Sequence, residues 1–205
     1  MSMITTGTEA GTGTGRTRRL FTREDYHTIG RMGVLRPDER VELIEGEIIV
    51  MSPAGIRHSS CVLRLNEAFN TERLAGRALV HVQNSMAASN ISEPEPDVML
   101  LAYREDRYAS CRPQPEDILL LIEVSDSSLK YDRETKLPLY AESGIREVWI
   151  VDLQHDEIES HQEPGPKGYR VVRRFHPGDS LAPAALLDLE LQADRILPPR
   201  SSNDR

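Results

Sequence analysis

The sequence predicts a mixed α/β fold, an α+β arrangement in which helices flank a central mixed β-sheet. The apolar run ILLLIEV at residues 118–124 is unbroken, which is typical of a central strand covered on both faces. The segments around it follow in the order hairpin, helix, three strands, helix, strand and hairpin. With 205 residues, of which 39% are hydrophobic, the chain has enough material for a single domain.

The N-terminal half predicts a β-hairpin followed by an amphipathic helix. Residues 1–19 form a Gly- and Thr-rich leader without the apolar segment of a signal peptide, and we expect this leader to be disordered. Residues 40–51 alternate around a Glu45–Gly46 pair, which predicts an N-terminal β-hairpin with a tight turn. Residues 56–74 carry apolar side chains at helical spacing, so they are predicted to form a helix.

The second half predicts the rest of the sheet, a second helix and a C-terminal β-hairpin. Gly144 is expected to end the second helix, since glycine is common just after a helix. The remaining predicted elements are strands at 78–86, 96–103 and 147–153, a helix at 132–143, and hairpin strands at 157–162 and 169–174. We place the single domain over residues 20–196 and a flexible tail over 197–205.

Composition and charge exclude several classes of protein. No apolar run approaches the length needed to span a bilayer. The formal net charge of -8 argues against a strongly basic nucleic-acid surface, because phosphate binding relies on Lys and Arg. Cys61 and Cys111 have no metal-ligand spacing and do not indicate a disulfide framework. Together with the lack of a signal peptide, this predicts a cytoplasmic protein without a membrane partner.

Glu123 is the first candidate site residue because it places a carboxylate inside the apolar run. An ionised carboxylate on a buried strand costs several kcal/mol unless a cation or several donors compensate it. Asp97 starts the neighbouring apolar strand, and two acids held side by side raise a pKa unless a positive charge lies between them. Mg²⁺ favours one or two carboxylates plus waters, and it can activate a water that cleaves a phosphate ester. A nearby lysine would complete such a site.

Two segments, EPEPDVMLL and LLIEVSDSSLKYDRETKLPLYAESGIREVWIVDL, resemble the Uma2 (DUF820-type) family, a branch of the PD-(D/E)XK nuclease superfamily. The resemblance runs from Tyr26 to Leu191 and includes the hairpin RVELIEGEIIVMSPAG. It implies a restriction-endonuclease-like core, in agreement with the element order above. It also implies an endonuclease that hydrolyses DNA with Mg²⁺ or Mn²⁺ and acts as a homodimer, since two symmetric sites suit double-strand cutting.

The resemblance assigns roles residue by residue. Asp97 matches the motif aspartate and Glu123 the second acid, so both are expected to bind the metal. Ser125 occupies the position of the motif lysine, and Lys136 on the next helix is the candidate for a displaced lysine that assists the attacking water. His58, at the start of the first predicted helix where the family usually has a histidine, is a candidate for supporting the metal ligands or for positioning that water, and its alternative is an ordinary packing residue at the helix start.

The direction of Lys136 is left open by the helix around it. Asp132, Lys136 and Tyr140 are each one turn apart and should share a face, whereas Lys130 should lie in the preceding loop. Pro138 is tolerated only in the first turn of a helix or at a kink. The helix therefore either begins near Lys136 or bends there.

Ordinary structural interpretations compete with the functional ones. Asp97 alone could end a turn, and Lys136 could be a solvated helix lysine. Glu45 is expected in the hairpin turn, and Glu42 is expected to be an ordinary strand charge, although both fall in a segment that resembles the family. Serines 125, 127 and 128, with Asp126, are expected to cap and turn the chain into the second helix.

Two further functions stay open beside the endonuclease. A catalytically inactive binding or regulatory module with a nuclease fold is favoured by Ser125 at the lysine position and by the acidic net charge. A metal-dependent hydrolase of another phosphate ester would use the same residues.

Overall fold

The computed structural model describes residues 17–36, 38–71 and 74–200. Most of the predicted leader and residues 201–205 of the predicted tail lie outside these described residues. Within them, Leu197 is buried and Arg200 forms an ion pair with Asp156. No helix in the described part of the chain is long and apolar enough to cross a membrane.

The first helix of the described residues was not predicted from the sequence. Helix α1 (Arg23–Arg31) is polar and buries none of its residues, and its two large apolar side chains, Tyr26 and Ile29, are too few for the apolar repeat on which a sequence prediction depends. A capping box between Thr22 and Asp25 defines its start. Buried Glu93 holds the helix in place through ion pairs with Arg23 and His27, at 3.0 and 2.8 Å.

The predicted N-terminal hairpin is confirmed. Strands β1 (Val41–Ile44) and β2 (Glu47–Val50) pair antiparallel and form a two-stranded sheet of their own. Glu45 and Gly46 lie in the turn with positive φ angles of 49° and 81°, as a tight hairpin turn requires. The hairpin therefore stands beside the main sheet rather than within it.

A six-stranded mixed sheet forms the centre of the fold and confirms the predicted fold class. Its strands, in spatial order, are β3 (Ala78–Val82), β4 (Val98–Ala102), β5 (Ile118–Ser125), β6 (Glu147–Asp152), β7 (Glu157–Gly165) and β8 (Gly168–Phe175). β5 and β6 are parallel, and the other neighbours are antiparallel. A parallel pair needs a crossover connection, and the second predicted helix supplies it.

Helices cover both faces of this sheet. α2 (Ile56–Phe69) packs on one face through Cys61, Leu65 and Phe69. The helix ends at Phe69, before the predicted boundary at 74. The prediction was too long because Leu74, which is buried in the following turn, extended the apolar pattern beyond the helix. The strand predicted at 78–86 likewise ends at Val82, since Gln83 has a positive φ of 48° that interrupts a strand.

The other face is covered by a helical segment that contains a π turn. It consists of α3 (Leu129–Tyr131), the π turn (Asp132–Lys136) and α4 (Leu137–Glu142), so it begins before the predicted start at 132. In the π turn the Leu137 amide donates to the carbonyl of Asp132, five residues earlier. Pro138 follows directly and has no amide to donate. The predicted irregularity around Pro138 is thus a π turn.

The C-terminal segment completes the first face. The predicted β7–β8 hairpin is confirmed, and it is followed by β9 (Ser180–Leu181), β10 (Leu191–Gln192) and α5 (Ala193–Ile196). These short elements were not predicted, since two-residue strands show no periodicity. Their apolar side chains nevertheless belong to the same core cluster as α2.

Candidate active site

A cleft of about 460 Å³ lies between the β1–β2 hairpin, the start of α2 and the chain that leads into α3. Four sequence-predicted site residues line it: His58, Asp97, Glu123 and Lys136. They come from α2, from the residue before β4, from β5 and from the end of the π turn. The fold therefore brings together all four residues that the motif assigned to one site.

Asp97 is fixed by donors from three directions. The Val124 amide donates to Oδ2 at 2.9 Å, and the side-chain amide of Gln83 donates to Oδ1 at 3.3 Å. His58 Nε2 lies 3.1 Å from Oδ2 and 3.0 Å from Oδ1. Burial alone would raise the pKa of Asp97, but the hydrogen bond and charge of His58 lower it overall. His58 thus acts on the motif aspartate directly.

Glu123 faces the helical segment from the middle of the sheet. Its Oε1 accepts hydrogen bonds from Lys136 Nζ at 2.9 Å and from the Tyr140 hydroxyl at 2.5 Å. Burial raises the pKa of Glu123 to about 8, against the attraction of Lys136, and the nearby carboxylates of Asp132 and Asp97 add to the rise. Burial, more than the neighbouring charges, therefore governs the ionisation of Glu123.

Lys136 is buried between two carboxylates. Besides Glu123, its ammonium contacts Oε2 of Glu42 at 3.1 Å, and the lysine is only 3% exposed. Burial alone would lower the pKa of Lys136, but Glu123, Glu42 and Asp132 raise it above its ordinary value. The ammonium therefore stays charged and can donate hydrogen bonds, but it cannot accept a proton.

Lys130 is not among the residues that line the cleft. It was expected in a loop, which is wrong, because it lies in α3. Its side chain is 84% exposed and reaches Glu134 at 3.9 Å. Exposure, rather than a loop position, keeps it out of the cleft.

The sequence analysis missed two acids of the site. Glu42 was interpreted as an ordinary strand charge, which is wrong, because it is 2% exposed and paired with Lys136. Asp132 was placed on the lysine's face, but its partners were not predicted. The hydroxyls of Ser125 and Ser128 both donate to Asp132 Oδ2 at 2.7 Å. Ser128 lies at the N-cap position of α3, as expected, but its side chain makes no cap hydrogen bond.

The donors present suit a hard divalent cation. Among the described residues, no group of three or more His, Cys, Asp or Glu side chains is arranged to hold a metal ion. Mg²⁺ needs fewer protein ligands, because waters and substrate oxygens complete its shell. Asp97 and Glu123 offer two buried carboxylates on one cleft, each oriented by hydrogen bonds, as ligating carboxylates usually are.

The mixed sheet, with one acid directly before β4, a second acid on the adjoining β5 and a buried lysine on the helical segment, has the architecture of a restriction-endonuclease-like protein. The model of the Uma2 family, described as "Putative restriction endonuclease", matches residues 23–195, and the chain belongs to this family. The family and the fold support a nuclease role. This confirms the resemblance seen in the sequence.

A solved structure has the same fold. The chain is similar to a protein from Anabaena variabilis ATCC 29413 described as a "putative nuclease belonging to DUF820", with a TM-score of 0.63. The two share 17% sequence identity, and the match covers 86% of this chain and 97% of the other. A comparison with curated proteins found no match.

Proposed function

We propose that the protein is a metal-dependent endonuclease that hydrolyses DNA phosphodiester bonds. The observation that carries this proposal is that Asp97, Glu123 and Lys136 line one cleft although they come from separate elements. The family to which the chain belongs supports it.

Each residue has a distinct part in the proposed reaction. Asp97 and Glu123 would hold Mg²⁺ or Mn²⁺, which supplies an activated water and a positive charge next to the phosphate. Lys136 donates hydrogen bonds to the attacking water or to the negative charge that develops on the phosphate. His58 orients Asp97 and sets its ionisation.

The charge of the cleft favours metal dependence. Its lining includes six acidic side chains against two from Lys or Arg, with His58 as a further possible cation. The acids are Glu42, Glu95, Asp97, Glu123, Asp126 and Asp132, and the two cations are Arg40 and Lys136. Like charges repel, so an added cation would favour the entry of a phosphodiester into this acidic cleft.

The test is cleavage of supercoiled plasmid DNA with Mg²⁺, Mn²⁺ or EDTA. Asp97→Asn, Glu123→Gln and Lys136→Met should each lower the rate by about 10²-fold or more, as expected when a group that stabilises the transition state is removed. Glu47→Gln, on the same hairpin as Glu42 but exposed, is the control. Unchanged cleavage by folded Asp97→Asn and Glu123→Gln would refute the proposal.

Two further measurements define the substrate and the metal. Parallel assays on DNA, RNA and a small phosphodiester separate a nuclease from a hydrolase of another phosphate ester. Calorimetric titration of Mg²⁺ and Mn²⁺ should show binding to the wild type that is lost in Glu123→Gln. Circular dichroism confirms that both proteins are folded.

A catalytically inactive binding module is the second candidate. Ser125 favours it, because its hydroxyl is buried and donates to Asp132 at the position where the superfamily motif has its lysine. Metal-dependent turnover of DNA at low protein concentration would exclude this candidate if the activity copurifies with the protein.

We also propose a homodimer, since paired sites suit symmetric cutting of a duplex. Light scattering at micromolar concentration tests this assembly, and a monomeric mass would contradict it.

A further inference from the structure

The geometry points to Glu42 as a positioning residue that holds the Lys136 ammonium at its working position in the cleft. This inference rests on the proposed function and adds the β1–β2 hairpin to the active site. Glu42 lies on β1, in a sheet separate from the one that carries Glu123. Its Oε2 is 3.1 Å from Lys136 Nζ.

The Lys136 ammonium has one N–H donor more than the two carboxylates that it contacts. A lysine ammonium has three N–H donors. Among the described residues its ion pairs are with Glu123 and Glu42, at 2.9 and 3.1 Å. Two contacts define the direction of the third donor, so it is available for a water or a phosphate oxygen. With one carboxylate alone, the ammonium could turn about a single contact.

Glu123 also interacts with groups other than Lys136. Its Oε1 already accepts from Tyr140 as well as from Lys136. The same carboxylate is proposed to hold a divalent cation, which repels the ammonium. A second carboxylate, that of Glu42, keeps the lysine in place while Glu123 binds the cation.

Glu42 is itself held rigidly, as a positioning group must be. The backbone amide of Glu95 donates to its Oε2 at 3.3 Å, and the Tyr131 hydroxyl donates to its Oε1 at 3.4 Å. Tyr131 belongs to α3, directly before the π turn that carries Lys136. The hairpin and the helical segment thus approach each other around one buried ion pair.

Glu42→Gln tests the inference, with Glu47→Gln as the matched control on the same hairpin. Glu42→Gln keeps the size of the side chain but removes its charge. In plasmid cleavage we expect kcat to fall about 10- to 100-fold with little change in KM, as for other residues that orient a catalytic group. Glu47→Gln should cleave like the wild type.

A second readout needs neither metal nor activity. The chain contains only three lysines, Lys130, Lys136 and Lys167, so ¹⁵N labelling of lysine side chains yields three ammonium signals. Lys130 and Lys167 are exposed and should exchange rapidly with water. Lys136 should give a protected signal in the wild type and in Glu47→Gln. In Glu42→Gln this signal should shift and lose its protection.

The outcomes separate the two proposals. A wild type that cleaves no DNA removes the proposed function, and the lysine signals alone then decide the role of Glu42. An unchanged Lys136 signal together with wild-type kcat in Glu42→Gln overturns the inference. So does a loss of Mg²⁺ affinity as large as that of Glu123→Gln, because Glu42 would then be a ligand. If Glu42→Gln does not fold, Glu42→Asp, which keeps the charge on a shorter side chain, takes its place in both assays.

Discussion

Replacing Lys136 with methionine tests the buried ion pairs of the site without any assumption about activity. Lys136, Glu42 and Glu123 are each at most 3% exposed, and the ammonium lies within 3.1 Å of both carboxylates. Removing one partner of a buried ion pair costs about 3–5 kcal/mol, because the remaining charge has no compensation. We therefore expect Lys136→Met to lose about that much free energy of unfolding.

The loss should grow with pH in a defined direction. The pKa of Glu123 is already raised to about 8, and Lys136 lowers it, so in the variant Glu123 ionises at a still higher pH. Above about pH 8, the wild type gains an attraction between carboxylate and ammonium that the variant lacks. The difference in unfolding free energy should thus be larger at pH 9 than at pH 7.

Urea unfolding followed by circular dichroism measures these differences. Lys130→Met is the control, because its side chain is 84% exposed and its ion pair at 3.9 Å is worth little. The double variant Lys136→Met, Glu42→Gln should be more stable than Lys136→Met alone, since it removes an unpaired buried charge. A loss for Lys136→Met no larger than that for Lys130→Met would refute the ion pairs described here.

Three further predictions concern the surroundings of the site. Gly46→Ala should lose at least about 1 kcal/mol of unfolding free energy in thermal unfolding, because φ is 81° and the new Cβ would lie 2.5 Å from the Cβ of Leu20. The control Gly30→Ala, whose new Cβ would have nothing within 4 Å, should not destabilise the protein. Tyr140→Phe should lose about 1.5–3 kcal/mol in urea unfolding, since it removes a donor to a buried carboxylate, and an unchanged midpoint would contradict that hydrogen bond. Asp97 raises the pKa of His58 despite burial, so the stabilisation from His58 is present below about pH 6.5 and is lost as the pH rises through its folded-state pKa. His58→Gln should therefore cost more stability at pH 6 than at pH 9, and an equal cost at both would contradict this pairing.

Periodicity predicted the main elements of the fold, but not those without a periodic pattern. The apolar run of β5 and the alternation around Glu45 and Gly46 were sufficient, because burial on both faces and a tight turn each leave a local pattern. Helix α1 buries no residue, and its two large apolar side chains are too few to form such a pattern. The C-terminal end of α2 was predicted too late, because Leu74 lies in the turn after the helix and is apolar since its side chain is buried in the core.

The predicted site residues were those that conflict with their local surroundings or match a family motif. Glu123 stood out because a carboxylate does not fit an apolar strand, and Asp97 and Lys136 were found through the motif around it. Glu42 gave no such conflict, since a charge in a short alternating strand looks exposed. Its partners Lys136 and Tyr131 lie on the helical segment, far from Glu42 along the chain.

The sequence by itself determined the fold class, and its resemblance to the family pointed to Asp97, Glu123 and Lys136 as candidate site residues. The fold class depends on patterns of residue type along the chain, and the candidates depend on motif residues, both of which the sequence states directly. Only the tertiary structure decided that Lys136 lies between Glu42 and Glu123, and that Ser125 serves Asp132. Those contacts join elements that are brought together by the packing of the hairpin and the helical segment against the sheet. Their energies depend on exclusion of water, which no local pattern records.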